Sequence, residues 1–150
     1  MNQEIAGTFL GYGSQVNHSV CLGSPPPADW AAAAEHCLEV FHSLVDWIEP
    51  GKSVKDFSDV YRQKVEERGL GGYWGVVFHT GGAGDGPRVG PTREEGSDLL
   101  LKAGMVFTIK PRIPLRDTSP TAQFGDAVVV TEEGARRLGK RTLEVINLRA

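Results

Sequence analysis

The chain has 150 residues, 40% hydrophobic and 23% charged, with a formal net charge of −3. That length suits one domain with a modest core, and the composition is that of an ordinary soluble globular protein. The acidic balance leaves no basic footprint for nucleic acid, and no apolar run approaches the roughly 18 residues that cross a bilayer. The segment Met1 to Phe9 lacks the basic start and apolar stretch of a signal peptide. Two cysteines, Cys21 and Cys37, make no disulfide framework, so a reducing, cytoplasmic setting is expected.

In chain order, Glu4 to Leu22 reads as a β-hairpin, with Ile5, Thr8, Phe9, Leu10, Val16 and Val20 flanking a turn region at Gly11 to Ser14. Pro25, Pro26 and Pro27 form a stiff connector. Asp29 is the expected N-cap of a long helix, whose apolar residues run at helical spacing from Trp30 through Phe41 to Ile48 before Pro50 and Gly51 end it. Ser53 and Asp56 open a second helix in the manner of a capping box. Its buried stripe is predicted as Phe57, Val60, Tyr61 and Val65, with Gly69 as the stop.

Beyond Gly69 the character turns to β. Tyr73 to Phe78 is an apolar run entering a glycine-rich loop, Met105 to Ile109 a second strand and Ala127 to Thr131 a third. Glu132 to Gly134 makes a tight turn, and Arg141 to Leu148 is expected as a last strand. Hairpin, helices and then strands predict an α+β fold in which two helices cover one face of a mainly antiparallel sheet.

Four segments in this order resemble the creatinase, prolidase, aminopeptidase P and methionine aminopeptidase family, whose fold is called pita-bread. Glu4 to Gln15 followed by Val20 to Gly23 is similar to the family's Asp-x-Gly-x-x-x-x-Gly-Tyr-x-x-Asp and trailing Val-x-x-Gly. Ile48-Glu49-Pro50-Gly51 is similar to Ile-Lys-Pro-Gly, and His79 to Gly84 stands where the family has His-x-x-Gly-His-Gly. Gly104 to Pro111 and Gly125 to Gly134 match Gly-Met-Val-Phe-Thr-Ile-Glu-Pro and Glu-Asp-Thr-Val-x-Val-Thr-x-x-Gly.

The resemblance implies a pita-bread half-fold with a curved sheet. Residues 1–150 would be a single domain made of the end of the family's first half and its complete second half. The N-terminal part is then missing, to be supplied by a longer chain or by another subunit. An open sheet edge invites pairing, so a homo-oligomer is expected.

The same resemblance implies a di-metal centre of two Asp, one His and two Glu. Hard oxygen ligands with one imidazole suit Mn, Co, Zn or Fe, and two such ions activate a bridging water. Here Glu4 and Gln15 stand at the Asp positions, Ala83 at the His position, and Lys110 and Gly125 at the Glu positions. Only Glu4 keeps a ligand, and the Lys110 ammonium repels a cation. No metal and no other cofactor is therefore expected. Asp126 matches the family's neighbouring Asp and, by strand alternation, points to the opposite face.

What remains for chemistry is a small set. His79 has a near-neutral pKa suited to proton transfer, although a histidine at a strand end is as often structural. Lys110 and Glu4 are expected as a buried ion pair where the metals would sit; the sharper alternative gives Lys110 a role in electrostatic or nucleophilic catalysis. Asp85, Arg88 and Arg93 flank the glycine loop, with Asp85 and Arg88 candidates for binding an anionic or peptide group and solvated loop charges as the bland alternative. His18, His36 and His42 need no functional role, and the glycine loop lacks the Lys-Ser/Thr of a phosphate loop. The expected function is a pseudo-peptidase that binds a small molecule, a peptide or a protein. The alternative is a metal-independent C–N hydrolase of creatinase type that uses His79, with a peptidase of relocated ligands ranked last.

Overall fold

The computed structural model describes residues 1–69, 78–80, 88–90, 93–94, 98–115 and 121–148; for 78–80, 88–90 and 93–94 it describes the backbone. Among these, the order is β1 (Asn2–Phe9), β2 (Tyr12–Leu22), α1 (Ala28–Trp47), α2 (Val54–Glu66), β3 (Phe78–Thr80), β4 (Arg88–Gly90), β5 (Arg93–Glu94), β6 (Val106–Ile109), β7 (Arg112–Pro114), β8 (Thr121–Gln123), β9 (Asp126–Thr131), β10 (Gly134–Arg137) and β11 (Ile146–Leu148). No helix among them is long and apolar enough to cross a membrane.

The hairpin turns at Leu10 and Gly11, both at positive φ (49° and 84°), at the front edge of the expected Gly11 to Ser14 region and reaching one residue ahead of it. Two left-handed residues suit the right-handed twist of a hairpin. This turn sets the register: Glu4 lies opposite Asn17, Ala6 opposite Gln15 and Phe9 opposite Tyr12. On its far side β2 pairs in parallel with β11, Val20 beside Ile146.

Helix α1 begins at Ala28 with Pro27 at the N-cap, so Asp29 sits in the first turn, where its carboxylate accepts the Trp30 N–H at 2.8 Å. Proline's fixed φ is already suited to that position, which shifts the start ahead of the expected cap. Ser53 caps α2, its hydroxyl accepting from the Asp56 N–H at 3.0 Å. Gly69 takes φ +59° just beyond. Phe57, Tyr61 and Val65 are buried as expected, whereas Val60 is only half-buried.

The main sheet has the order β10-β9-β6-β3-β4-β5, antiparallel at each pairing. Alternation gives β6 and β9 two distinct faces. Phe107, Ile109, Val128 and Val130 enter one core with Phe41 and Leu44 of α1 and Phe57 and Tyr61 of α2. The other face carries Thr108, Ala127 and, just past β6, Lys110. The Asn17–Gly125 bridge ties the hairpin to this sheet through two 3.0 Å backbone hydrogen bonds.

The expected strand Arg141 to Leu148 shrinks to Ile146–Leu148. Leu143 turns into the core, and the Arg141 guanidinium donates to the Asn17 carbonyl at 3.3 Å, so the earlier part serves as a connector. Of the run Tyr73 to Phe78, Phe78 opens β3 and the rest lies outside the described residues. The short pair β7–β8 and strand β10 gave no clear signal in the sequence.

Candidate functional site

Cross-strand neighbours share a face, so the hairpin register places Glu4, Gln15 and Asn17 together on the side that meets the main sheet. Lys110 follows Ile109, whose side chain is in the core, and alternation turns the lysine the other way, toward the hairpin. Its ammonium donates to Glu4 Oε2 at 3.0 Å and to Gln15 Oε1 at 3.0 Å. The Asn17 amide donates to the same Glu4 oxygen at 2.9 Å.

The expected Lys110–Glu4 ion pair is thus present, but it is not a buried one. The lysine side chain is 14% exposed and the glutamate 42%. Solvent screening keeps such a pair to about 1 kcal/mol or less.

Gly125 faces the same spot. A Cβ built there would lie 2.7 Å from Lys110 Cβ, 2.9 Å from the Ile109 carbonyl and 3.1 Å from Asn17 Oδ1. The lysine stem and the chain at Ile109 come closer here than any side chain at 125 allows, so this position requires glycine.

The register of β3 sets His79 opposite Thr108 and, on its other side, opposite Arg88 of β4. His79 and Arg88 therefore occupy positions on the sheet face that bears Thr108 and Lys110. Asp85 lies outside the described residues. Thr108 Oγ1 and Asn17 Oδ1 are buried without a hydrogen-bond partner among the described residues.

Other titratable groups are engaged elsewhere. Asp126 lies on the core face, as alternation predicted: its Oδ2 accepts two hydrogen bonds from Arg137 at 2.8 and 3.1 Å, and its Oδ1 accepts the Ala127 N–H. His18 is on the hairpin face away from Glu4; burial, with the Arg141 charge adding to it, holds its pKa below the usual histidine value. His36 Nε2 sits 3.2 Å from the Val65 carbonyl and bridges the helices. Burial pushes the Cys37 thiol up to about 12, and its Sγ donates to the Pro111 carbonyl, so it is an inert core group. Among the described residues, no three His, Cys, Asp or Glu side chains gather as a metal-holding group.

Asn17 is the site residue that sequence reading missed. With the turn at Leu10 and Gly11, the register alone would have placed it opposite Glu4.

A curved antiparallel sheet, two covering helices and a polar cluster on the open face define the pita-bread class. The chain belongs to Metallopeptidase family M24, whose sequence profile matches residues 2–132. It is 28% identical over 145 residues to the Xaa-Pro dipeptidase of Pyrococcus furiosus, covering 95% of this chain and 40% of that protein. A "Probable dipeptidase PepE" of Mycobacterium bovis is 31% identical over 134 residues, 88% of this chain and 35% of that protein. The crystal structure of dipeptidase PepE from Mycobacterium ulcerans superposes with a TM-score of 0.83 at 28% identity, covering 99% of this chain and 40% of that one. The chain thus spans 35–40% of the length of these relatives.

Proposed function

We propose that this chain is a pseudo-peptidase: an M24 scaffold whose di-metal site is lost, and which binds a small molecule, a peptide or a protein instead of running two-metal hydrolysis. The observation that carries this reading is the Lys110 ammonium seated 3.0 Å from both Glu4 and Gln15. Four of the five positions that the family resemblance assigns to ligands hold Gln15, Ala83, Lys110 and Gly125, none of them a carboxylate or imidazole.

The implied metal pair does not fit this donor set. A divalent ion in that place would meet the like charge of the Lys110 ammonium. Glu4 Oε2 already accepts from Lys110 and Asn17. No catalytic step is therefore routed through a metal.

A second reading is a metal-independent C–N hydrolase in which His79 moves the proton, with Glu4 and Lys110 as polar partners. The position of His79 opposite Thr108, on the Lys110 face, supports it. Turnover of Xaa-Pro dipeptides, with and without added Mn²⁺, separates the readings. The pseudo-peptidase reading expects no hydrolysis above background in either condition. Metal-stimulated turnover would overturn it. Metal-independent turnover that His79→Ala removes, without change in the circular dichroism spectrum, would establish the second reading.

A further inference from the structure

Strand register sorts the charges of the main sheet between its two faces. His79 is the cross-strand neighbour of Thr108 on one side and of Arg88 on the other, so these three positions form one row across β6, β3 and β4. Arg88 and Gly90 share a face by alternation, and Gly90 pairs with Arg93, which brings a second arginine position to the open face. Glu94 pairs with Val89, the neighbour of Phe78, which in turn pairs with the core residue Ile109. The acid of β5 therefore holds a position on the face opposite to the arginines.

Lys110 joins the set two residues beyond Thr108. An ammonium has three donors, and among the described residues Lys110 donates to Glu4 Oε2 and Gln15 Oε1, which leaves a third. Glu4 is the one carboxylate at the described positions of this face, and Lys110 matches its charge at 3.0 Å. Three cations, Lys110, Arg88 and Arg93, against the one carboxylate of Glu4 leave two positive charges there. Thr108 Oγ1, within the row, is buried without a hydrogen-bond partner among the described residues, so the polar row is not closed on itself.

Sheet geometry gives the spacing. Neighbouring strands lie about 4.8 Å apart and alternate residues about 6.7 Å, which puts the Arg88 and Arg93 backbone positions roughly 8 Å apart and those of Arg88 and Lys110 roughly 12 Å apart. Side chains as long as arginine and lysine can meet one small ligand across such gaps.

We propose that this face binds a small dianion, a phosphate monoester or a dicarboxylate, where the sheet juxtaposes Lys110 with the Arg88 and Arg93 positions. Guanidinium forks match the paired oxygens of phosphate and carboxylate, and two positive charges match two negative ones. This ligand class rests on the pseudo-peptidase reading, which it narrows.

Calorimetric titration of metal-stripped, folded protein at about pH 8 tests it, with inorganic phosphate and malonate as probes, both close to doubly charged there. Each should bind with a Kd of about 1 mM or below, and more weakly as salt rises. Acetate, with a single charge, should bind at least about tenfold more weakly. Arg88→Gln and Arg93→Gln should each raise Kd about tenfold with an unchanged far-UV spectrum. Arg136 pairs with Val129, which pairs with Val106, so it holds the same face at the far edge. It lies roughly 16 Å from Lys110, beyond the screening length, and Arg136→Gln should change Kd less than about twofold. Acetate binding as tightly as malonate, or Arg136→Gln weakening binding as much as Arg88→Gln and Arg93→Gln, overturns the proposal. So does the absence of binding at about 10 mM of either probe, with or without added Mn²⁺, which leaves the pseudo-peptidase reading standing. Binding that appears only when Mn²⁺ is added overturns both.

Discussion

The two faces of the β6–β9 pair obey different rules. On the helix side, Phe107, Ile109, Val128 and Val130 are buried against α1 and α2, and their spacing and size are set by packing. On the open side, Lys110 and Gly125 meet Glu4, Gln15 and Asn17 through polar contacts and one close backbone approach. The same strands thus carry a fold on one face and a chemistry on the other. The fold can persist while residues of the second face change, because alternation keeps the two sets of side chains from touching.

That contrast is broken most sharply on the helix side. Phe107→Ala removes a fully packed ring and should cost about 3–5 kcal/mol, read as a lower urea midpoint with an unchanged slope. A cost below 1 kcal/mol would mean the core is looser than its burial indicates. On the open side, Gly125→Glu should cost about 1–3 kcal/mol, because its Cβ collides with the lysine stem and the Ile109 carbonyl. A carboxylate at that position would thus strain the sheet. Lys110→Met should change stability by about 1 kcal/mol or less, since the pair it breaks is half in water. Equal losses for Phe107→Ala and Lys110→Met would erase the distinction between the faces.

The smallest effect is a pH dependence on the hairpin. His18 is held below its usual value of 6.5, so the unfolded chain takes up its proton first as pH falls. Stability should therefore be intact above pH 6.5 and decline below it through the folded value. His18→Gln should flatten that decline, and an unaltered profile in the variant would remove His18 as its source.

Much of the helix face was legible because apolar spacing and burial are the same information: Phe57, Tyr61 and Val65 fell where period predicted. The Ser53 cap was equally readable, since a side-chain oxygen before a helical run has one local use. The hairpin was less so. Glycines at 11 and 13 suggested the turn, yet the tip is Leu10 and Gly11, with a leucine in a left-handed conformation that sequence preference argues against. Moving the turn moves the register, and the register is what brings Asn17 to Glu4. At the site, the Lys110–Glu4 pair was foreseeable from charge and family position, but its openness to water was not, since exposure depends on what packs around it. The placement of β11 beside β2 is a long-range pairing with no local signature.

The central claim is that an ammonium stands where the family resemblance puts cations, and metal binding tests it most directly. Mn²⁺, Co²⁺ and Zn²⁺ would each be titrated calorimetrically into folded, metal-stripped protein, with bound metal counted by mass spectrometry. The account predicts no stoichiometric binding of any of the three. Two tightly bound ions per chain would contradict it and return the protein to the metal-dependent peptidases.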